Sequence, residues 1–198
     1  MNLRTAFTTP PVPLELPKGF RDAAVLVPIW QEQLLLTVRS ANLNSHAAQI
    51  SFPGGRLDEG ESYEQCALRE AWEEVGLPGE HVEIVGRLSP LLSPFGFRVF
   101  PVVGLVTQEP QLDLNAHEVD KVLWVPITEL QTTAAYTEVR QLNRLPPNVR
   151  PEVREVFVAP DSPFKARLWH YPWKGYDIWG LTGNIVHELL ERIRAAEG

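Results

Sequence analysis

The sequence predicts an α/β fold, because runs of apolar residues typical of strands lie on both sides of one strongly amphipathic helix and a second amphipathic helix closes the chain. A sheet with one helix in the middle of the chain and another at its end indicates an α/β sandwich. The length of 198 residues favours one domain. Proline-rich sequence near the start predicts an extended N-terminal arm over residues 1–20, followed by a single domain over residues 21–198.

The first elements are predicted to be strands. Two apolar runs, residues 23–29 and 33–38, are separated by Trp30, Gln31 and Glu32 and favour a β-hairpin. After a polar stretch, residues 50–52 have the character of a short strand. This strand is ended by Pro53, Gly54 and Gly55, a combination that breaks regular structure.

A helix is predicted over Tyr63–Val75. Ser62 and Gln65 have the spacing of a capping box, which closes the start of a helix with two reciprocal hydrogen bonds. Gly76 is a natural stop, since glycine readily adopts the left-handed conformation that ends helices. The apolar face is expected to consist of Leu68, Ala71, Trp72 and Val75.

The remaining elements follow from the same signals. A long loop or insertion, with room for one helical turn, is expected over residues 132–154, because this stretch is polar and contains three prolines. Strands are predicted over residues 82–88, 98–106 and 119–125, and a further strand pair over 156–159 and 166–171. A short helix is predicted over 126–130 and an amphipathic helix over 182–195.

Composition narrows the class of function. The 18 basic and 25 acidic side chains give a net charge of −7, which argues against a protein that binds nucleic acid through a basic surface. Phosphorylated substrates stay possible if a cation mediates. One cysteine, Cys66, excludes an intrachain disulfide. No apolar run approaches the roughly 20 residues that span a bilayer, so we expect a cytoplasmic protein without membrane contact.

Three carboxylates share one stripe of the predicted helix. Glu73 and Glu74 lie within about 60° of Glu70 on a helical projection. Like charges at this spacing repel, and a hard divalent cation such as Mg²⁺ would convert the repulsion into binding. Arg69 could orient a carboxylate or hold a phosphate through its fork of donors. The alternative for the three carboxylates alone is a solvated acidic surface.

The full pattern around this stripe resembles the Nudix box. Gly55, Glu61, the pair Arg69 and Glu70, the pair Glu73 and Glu74, Gly76 and the aliphatic Leu77 stand at the family's spacing. Ala71 departs from it, since the family has a bulky aliphatic residue there. The resemblance implies a Nudix-type α/β/α sandwich around a mixed β-sheet. It also implies a pyrophosphohydrolase in which a metal-activated water attacks one phosphorus of a diphosphate.

Site roles follow from this resemblance. It implies that Mg²⁺ or Mn²⁺ is bound by Glu70, Glu73 and Glu74 with the carbonyl of Gly55. Glu61 is expected to be structural. Arg69, Glu70 and Glu73 are expected to act in catalysis together with a general base, for which Glu118 is preferred because it begins a predicted strand after a polar turn. Other candidates for the base are Asp113, His117, Glu138 and a box glutamate, and for Glu118 itself a surface charge at a strand end is an equally open interpretation.

A second motif resembles the coenzyme A pyrophosphatase branch of the family. The matching residues are Leu35, Leu36, Thr37, Arg39, Ser40, Phe52, Pro53, Gly54 and Gly55. Asn44 and Ala48 replace an arginine and a glycine of the motif, which leaves one phosphate or adenine contact in question. The implied reaction splits coenzyme A, free, acylated or oxidised, into 3′,5′-ADP and 4′-phosphopantetheine. The substrate-binding residues are then expected to be Arg39, Ser40, Phe52, Gly54, Arg56 and Arg98, with Phe95 and Phe97 able to line an apolar groove for the pantetheine arm.

Three alternatives remain open from the sequence. The substrate could be another small nucleoside diphosphate derivative, namely ADP-ribose, NADH or a diadenosine polyphosphate. A Nudix-fold module could sense a nucleotide without cleaving it, although such modules commonly lose box carboxylates. An acidic metal-storage protein would not need Arg69 or Gly76 at their spacings. The protein is expected to act as a monomer or homodimer, with a small molecule rather than nucleic acid as its partner.

Overall fold

The computed structural model describes residues 3–40, 49–139, 149–158 and 167–198. The helices within these ranges are α1 (Leu3–Ala6), α2 (Tyr63–Val75), α3 (Ile127–Thr132), α4 (Pro151–Val158) and α5 (Gly180–Glu197), with a short 3₁₀ helix at Gly79–His81. The strands are β1 (Arg21–Trp30), β2 (Gln33–Arg39), β3 (Ile50–Ser51), β4 (Gly54–Arg56), β5 (Val82–Arg87), β6 (Leu91–Ser93), β7 (Phe97–Val106), β8 (Val119–Pro126), β9 (Tyr136–Val139), β10 (Arg167–Trp173) and β11 (Tyr176–Trp179).

The main sheet is mixed, as predicted. Strands β1 and β7 run parallel over nearly their whole length, from the pair Arg21 and Phe97 to the pair Ile29 and Leu105. Strand β2 pairs antiparallel with β1 and β8, and β7 pairs antiparallel with β5 and β6. A separate three-stranded antiparallel sheet has the order β11–β10–β9.

The β1–β2 hairpin opens into a fork. The two strands are paired only next to their turn, where Ile29 faces Leu34. Farther from the turn, β4 takes the place beside β1 and β3 takes the place beside β2. The glycines that lead into α2 are thereby placed within the sheet, next to the first half of β1.

One helix covers each face of this sheet. Alternation along β1 sends Ala24 and Leu26 towards α2, whereas Val27 and Ile29 join the apolar cluster that includes α5. The buried face of α5 consists of Ile185, Val186, Leu189, Leu190 and Ile193, as the sequence predicts. The α/β/α sandwich is therefore confirmed.

The N-terminal arm contributes to the same core. A helical turn, α1, lies within the segment predicted to be extended, and Ala6 and Phe7 are buried in the cluster around α5. Leu14 packs on a smaller cluster formed by Phe20, Leu92 and Val153. Apolar side chains of the arm thus pack against residues 21–198, which the proline content did not reveal.

Two expectations about the second half are corrected. Val156 belongs to helix α4 and not to a strand; Pro151 occupies the first helical position, and Val153 and Val156 follow at helical spacing. Strand β10 is real, but its partners are β11 and β9. Strand β9 lies inside the stretch predicted to be a loop, while residues 159 and 166 lie outside the described residues.

Among the described residues, no helix is both long enough and apolar enough to cross a membrane.

Candidate active site

Helix α2 begins and ends where the sequence predicts. The hydroxyl of Ser62 accepts a hydrogen bond from the N–H of Gln65 at 3.2 Å, and the Gln65 side chain accepts one from the N–H of Ser62 at 2.8 Å. Gly76 takes the left-handed conformation with φ of 69°. The capping box and the glycine stop are confirmed, and they fix the register of every carboxylate on the helix.

The direction in which α2 faces differs from the prediction. The buried residues are Cys66, Ala67, Ala71, Glu74 and Val75, whereas the side chain of Trp72, expected in the apolar face, is 58% exposed. Small residues on the inner face allow the helix to approach the sheet closely. The prediction had placed the large Trp72 in the core. The buried face in the structure is rotated relative to that prediction, and it includes Glu74.

Arg69 connects two carboxylates of α2 with Glu61, which lies just before the helix. Its guanidinium donates two hydrogen bonds to Glu61, at 2.9 and 3.0 Å. It also donates to Glu70 at 2.8 Å, to Glu73 at 3.2 Å and to the carbonyl of Arg56 at 3.0 Å. The hydrogen bonds from Arg69 hold the pKa of Glu61 below its usual value, so Glu61 serves as the anchor of Arg69. Arg69 in turn orients Glu70.

Glu70 fits against the backbone of Gly55. A Cβ atom placed on Gly55 would overlap the Glu70 carboxylate, so glycine is required for this approach. The side chain of Glu70 is only 16% exposed. Burial, opposed by Arg69, raises its pKa, and the charges of Glu73 and Glu118 raise it further.

Glu74 is the most unusual carboxylate of the site. The residue is 3% exposed, and burial raises its pKa to about 7 even though Arg39 and a hydrogen bond from the Gly54 N–H favour the ionised form. Within the described structure, its Oε2 atom is buried without a hydrogen-bond partner. A buried carboxylate oxygen in that state is costly unless a cation or a proton occupies it.

Of the four candidates for the general base outside the box, Glu118 is the one whose charge affects the helix carboxylates. Its charge acts on both Glu70 and Glu74. Asp113 and His117 are exposed residues of the same loop. A carboxylate oxygen of Glu138 lies 3.4 Å from the Nε2 atom of His170 in the small sheet.

The end of β2 brings Arg39 to the same place. A bulge between Val38 and Arg39 skips Asp120, so that Arg39 pairs with Val119. The next residue, Ser40, donates its N–H to the carbonyl of Glu118 at 2.9 Å. Arg39 is near enough for its charge to act on Glu74. A cation is therefore placed beside the buried carboxylates.

Other predicted substrate-binding residues are placed differently. Phe52 is 3% exposed within the main core, and Arg98 is paired with Asp22 through bonds of 2.8 and 2.9 Å. In this arrangement Phe52 packs in the core and Asp22 holds the guanidinium of Arg98, and their roles in substrate binding stay predictions. Gly54 contacts Glu74, Arg56 is exposed, and Ser40 is buried. Asn44 and Ala48 lie outside the described residues.

The residues present fit a divalent cation. Glu70 and Glu74 lie on successive turns of α2, one against Gly55 and one with an unpaired oxygen, and carboxylate oxygens are the ligands that Mg²⁺ prefers. In the described parts of the chain, no group of three or more histidine, cysteine, aspartate or glutamate side chains is arranged so that it could hold a metal ion. Arg69 holds Glu73 and one oxygen of Glu70, so a metal would gain ligands by competing with it.

Sequence patterns missed Asn115. Its backbone N–H donates to the carbonyl of Glu74 at 3.0 Å, and its side-chain amide donates to Glu118 at 3.1 Å. Its side-chain oxygen also accepts from the N–H of His117 at 3.2 Å. Asparagine in a polar turn before a strand is typical of such local bonding, but that pattern does not indicate which carboxylate the amide meets.

Comparisons with known proteins identify a family for this chain. A NUDIX domain matches residues 19–145, which is more than half of the chain. A protein of Photorhabdus laumondii subsp. laumondii, named uncharacterized Nudix hydrolase NudL, is 37% identical over 93% of this chain and 91% of its own length. Its namesake in Pectobacterium atrosepticum is 37% identical over 87% of this chain and 83% of its own.

Solved structures give a weaker likeness. The Caenorhabditis elegans Ap4A hydrolase binary complex shares 23% identity and a TM-score of 0.47, covering 54% of this chain and 80% of that one. The Mycobacterium smegmatis Nudix hydrolase RenU shares 23% identity and a TM-score of 0.47, covering 56% and 73%. The matched domain and the relatives at 37% identity show that this chain belongs to the Nudix hydrolase family.

Proposed function

We propose that this protein hydrolyses the diphosphate linkage of coenzyme A in a reaction that depends on Mg²⁺ or Mn²⁺. The observation that carries the hydrolytic part is Glu74, a buried carboxylate with an unpaired oxygen beside Glu70. Nudix hydrolases act on small nucleoside diphosphate derivatives and generally use divalent metal ions. The substrate itself is inferred from the motif that runs from Leu35 to Gly55.

Glu70 and Glu74 would hold the metal, joined by Glu73 and the Gly55 carbonyl. When bound, the metal supplies a water of lowered pKa and neutralises charge that develops on the phosphoryl oxygens. Arg69 orients Glu70 and Glu73 through the bonds described above. Because Glu61 takes two of the donors of Arg69, the guanidinium is kept in one orientation.

Glu118 would accept the proton that the attacking water releases. The water oxygen bonds to one phosphorus, the bridging P–O bond breaks, and the other phosphate leaves with its group. With coenzyme A the products are 3′,5′-ADP and 4′-phosphopantetheine. A positioned general base contributes a factor of about 10² to 10⁴ to such reactions.

Arg39 would bind the anionic groups of the nucleotide. It stands beside Glu74, and a guanidinium is suited to phosphate oxygens. Coenzyme A differs from ADP-ribose, NADH and diadenosine polyphosphates in its 3′-phosphate and its pantetheine arm. If Arg39 contacts the 3′-phosphate, its replacement should affect coenzyme A more than 3′-dephospho-coenzyme A.

The substrate is tested by incubating the protein with each of these compounds in Mg²⁺ or Mn²⁺ and separating the products by chromatography. We expect coenzyme A to give the two products named above with the highest kcat/KM. Arg39→Gln should raise the KM for coenzyme A at least tenfold, whereas Arg194→Gln, a matched change at an exposed arginine of α5, should alter it less than twofold. Turnover of ADP-ribose with coenzyme A untouched would refute the substrate assignment.

The metal-binding carboxylates are tested separately. Glu74→Gln should lower turnover by about two orders of magnitude or more, because a neutral amide lacks the negative charge with which a carboxylate binds Mg²⁺. Chelation by EDTA should abolish activity in the unmodified protein, and added Mg²⁺ or Mn²⁺ should restore it. An unchanged rate in the Glu74→Gln variant would remove Glu74 from the metal site.

A further inference from the structure

The loop that precedes β8 is attached to the end of α2. The N–H groups of Asp113 and Asn115 donate to the carbonyls of Val75 and Glu74, each at 3.0 Å. These carbonyls are among those that a helix leaves unpaired at its C-terminus. A Cβ atom on Gly76 would lie 2.7 Å from the N atom of Asp113, so the loop also packs directly on the glycine that ends the helix.

Within this loop, Asn115 is bonded to Glu118 twice. The carbonyl of Asn115 accepts the N–H of Glu118 at 2.9 Å, and its Nδ2 atom donates to Oε1 of Glu118 at 3.1 Å. On the other side, the Glu118 carbonyl accepts the N–H of Ser40. Both the backbone and the carboxylate of Glu118 are therefore fixed.

We propose that Asn115 is a positioning residue that holds the Glu118 carboxylate towards Glu70 and Glu74. Asn115 links the two sides of the site by hydrogen bonds: its backbone N–H donates to the backbone carbonyl of Glu74, and its side-chain amide donates to the carboxylate of Glu118. This inference rests on the role proposed above for Glu118 as general base. An amide donor also suits that role, because it fixes a carboxylate oxygen and supplies no acidic proton.

A purely structural role for Asn115 makes a different prediction. The side-chain oxygen of Asn115 accepts a hydrogen bond from the N–H of His117, and this bond closes a local turn. Aspartate has the same acceptor oxygen and should preserve the turn. Asn115→Asp therefore keeps the turn and the backbone bonds while it removes the donor to Glu118 and places a like charge beside it. If Asn115 only shapes the turn, this variant should behave as the unmodified protein does.

The experiment measures kcat and KM with the best diphosphate substrate for Asn115→Asp, Glu118→Gln and the double variant. We expect Asn115→Asp to lower kcat about tenfold to a hundredfold, a range typical of a displaced catalytic group, with KM and the thermal midpoint nearly unchanged. In the double variant, kcat should equal that of Glu118→Gln alone within threefold, because residues that act through one another are not additive.

Asn184→Asp is the matched control. Asn184 likewise accepts a backbone N–H, that of Trp169 at 2.9 Å, and donates through Nδ2 at 3.1 Å to the carbonyl of Arg167. The same change there should leave kcat within twofold. Mn²⁺ affinity without substrate, measured by electron paramagnetic resonance, should be unchanged within threefold in Asn115→Asp.

Several outcomes would overturn the inference. These are an unchanged kcat in Asn115→Asp, losses that multiply fully in the double variant, or a loss of Mn²⁺ affinity as large as the loss of kcat. A Glu118→Gln variant with full activity would overturn it while leaving diphosphate hydrolysis intact. Preference for a substrate other than coenzyme A would refute only the substrate proposal, whereas a protein that cleaves no diphosphate would refute both.

Discussion

The burial of Glu74 has two opposing effects, one on cation binding and one on stability. Its position on the inner face of α2 brings it against the Gly54 N–H and within reach of the charge of Arg39, where a cation can be held away from water. The same position removes its hydration and leaves one oxygen unpaired. A cation that binds there would offset part of the hydration free energy that the carboxylate loses on burial. Metal binding and the free energy of unfolding should therefore be linked at Glu74.

The pKa of Glu74 predicts how stability depends on pH without metal. A raised pKa means that the native state holds a proton that the unfolded chain loses at about pH 4.5. The contribution of Glu74 to stability should therefore fall as pH rises from about 4.5 to about 7 and stay lower above that. In EDTA at pH 8, Glu74→Gln should be more stable than the unmodified protein by up to about 3 kcal/mol, as measured by urea unfolding.

Two checks accompany this prediction. The difference in free energy of unfolding between the two proteins should shrink when unfolding is repeated at pH 4. Mg²⁺ should stabilise only the unmodified protein, since a ligand that binds the native state alone raises its stability. If Glu74→Gln is less stable than the unmodified protein at both pH values, the cost assigned to the ionised carboxylate is wrong.

Gly55 permits a second test at the level of one atom. Gly55→Ala should push the Glu70 carboxylate out of place, because the new methyl group would overlap it, and Mn²⁺ affinity should fall at least about tenfold. Gly79→Ala is the control, since its Cβ would meet Leu68 at an ordinary 3.6 Å. Equal Mn²⁺ affinities in the two variants would show that Glu70 does not need the space at Gly55.

Among the elements, α2 shows which features can be predicted from sequence. Its ends are set by local chemistry, namely the Ser62 and Gln65 box and Gly76, and local signals located them to the residue. The orientation of α2 about its axis depends on how closely the helix packs on the sheet, and no local sequence pattern predicts that distance. The exposed Trp72 and the buried Glu74 break the rule that large apolar residues lie inside, and such exceptions are expected at functional sites.

Shorter elements were missed for a related reason. Strand β4 contains Gly54 and Gly55, which have no side chains to indicate a strand, and its pairing with β1 comes from the fork in the hairpin. Asn115 was missed because its partners come from α2 and from the start of β8. The pairing of Arg98 with Asp22, on the neighbouring strand, was likewise not visible in the sequence.

The capping box makes a prediction for α2 as an element. Ser62→Ala should lower the free energy of unfolding by about 1 kcal/mol, because the N–H of Gln65 loses its acceptor. Ser62→Asp retains an acceptor and should be within about 0.5 kcal/mol of the unmodified protein. Urea denaturation measures both. A destabilisation that is equal in the two variants would indicate that the hydroxyl packs rather than caps.

For the whole molecule, the arm and the body should unfold together. Phe7 is 4% exposed in the cluster around α5, and Phe7→Ala should cost about 3 kcal/mol or more, as for other buried phenylalanines. Val12→Ala, at an arm residue that is 69% exposed, should cost less than about 0.5 kcal/mol. Both values come from thermal or urea unfolding, and a near-zero effect of Phe7→Ala would separate the arm from the core.

The fork in the β1–β2 hairpin also sets an order of events in time. The turn between the two strands joins neighbours in sequence and can close quickly, whereas the pairing of β1 with β7 closes a chain loop of more than 70 residues and is slow by comparison. Arg39, Glu74 and Glu118 come from three segments that meet only when β8 pairs with β2. We therefore expect the newly made chain to acquire catalysis at the end of folding, so that recovered activity after dilution from urea never precedes recovery of the native fluorescence.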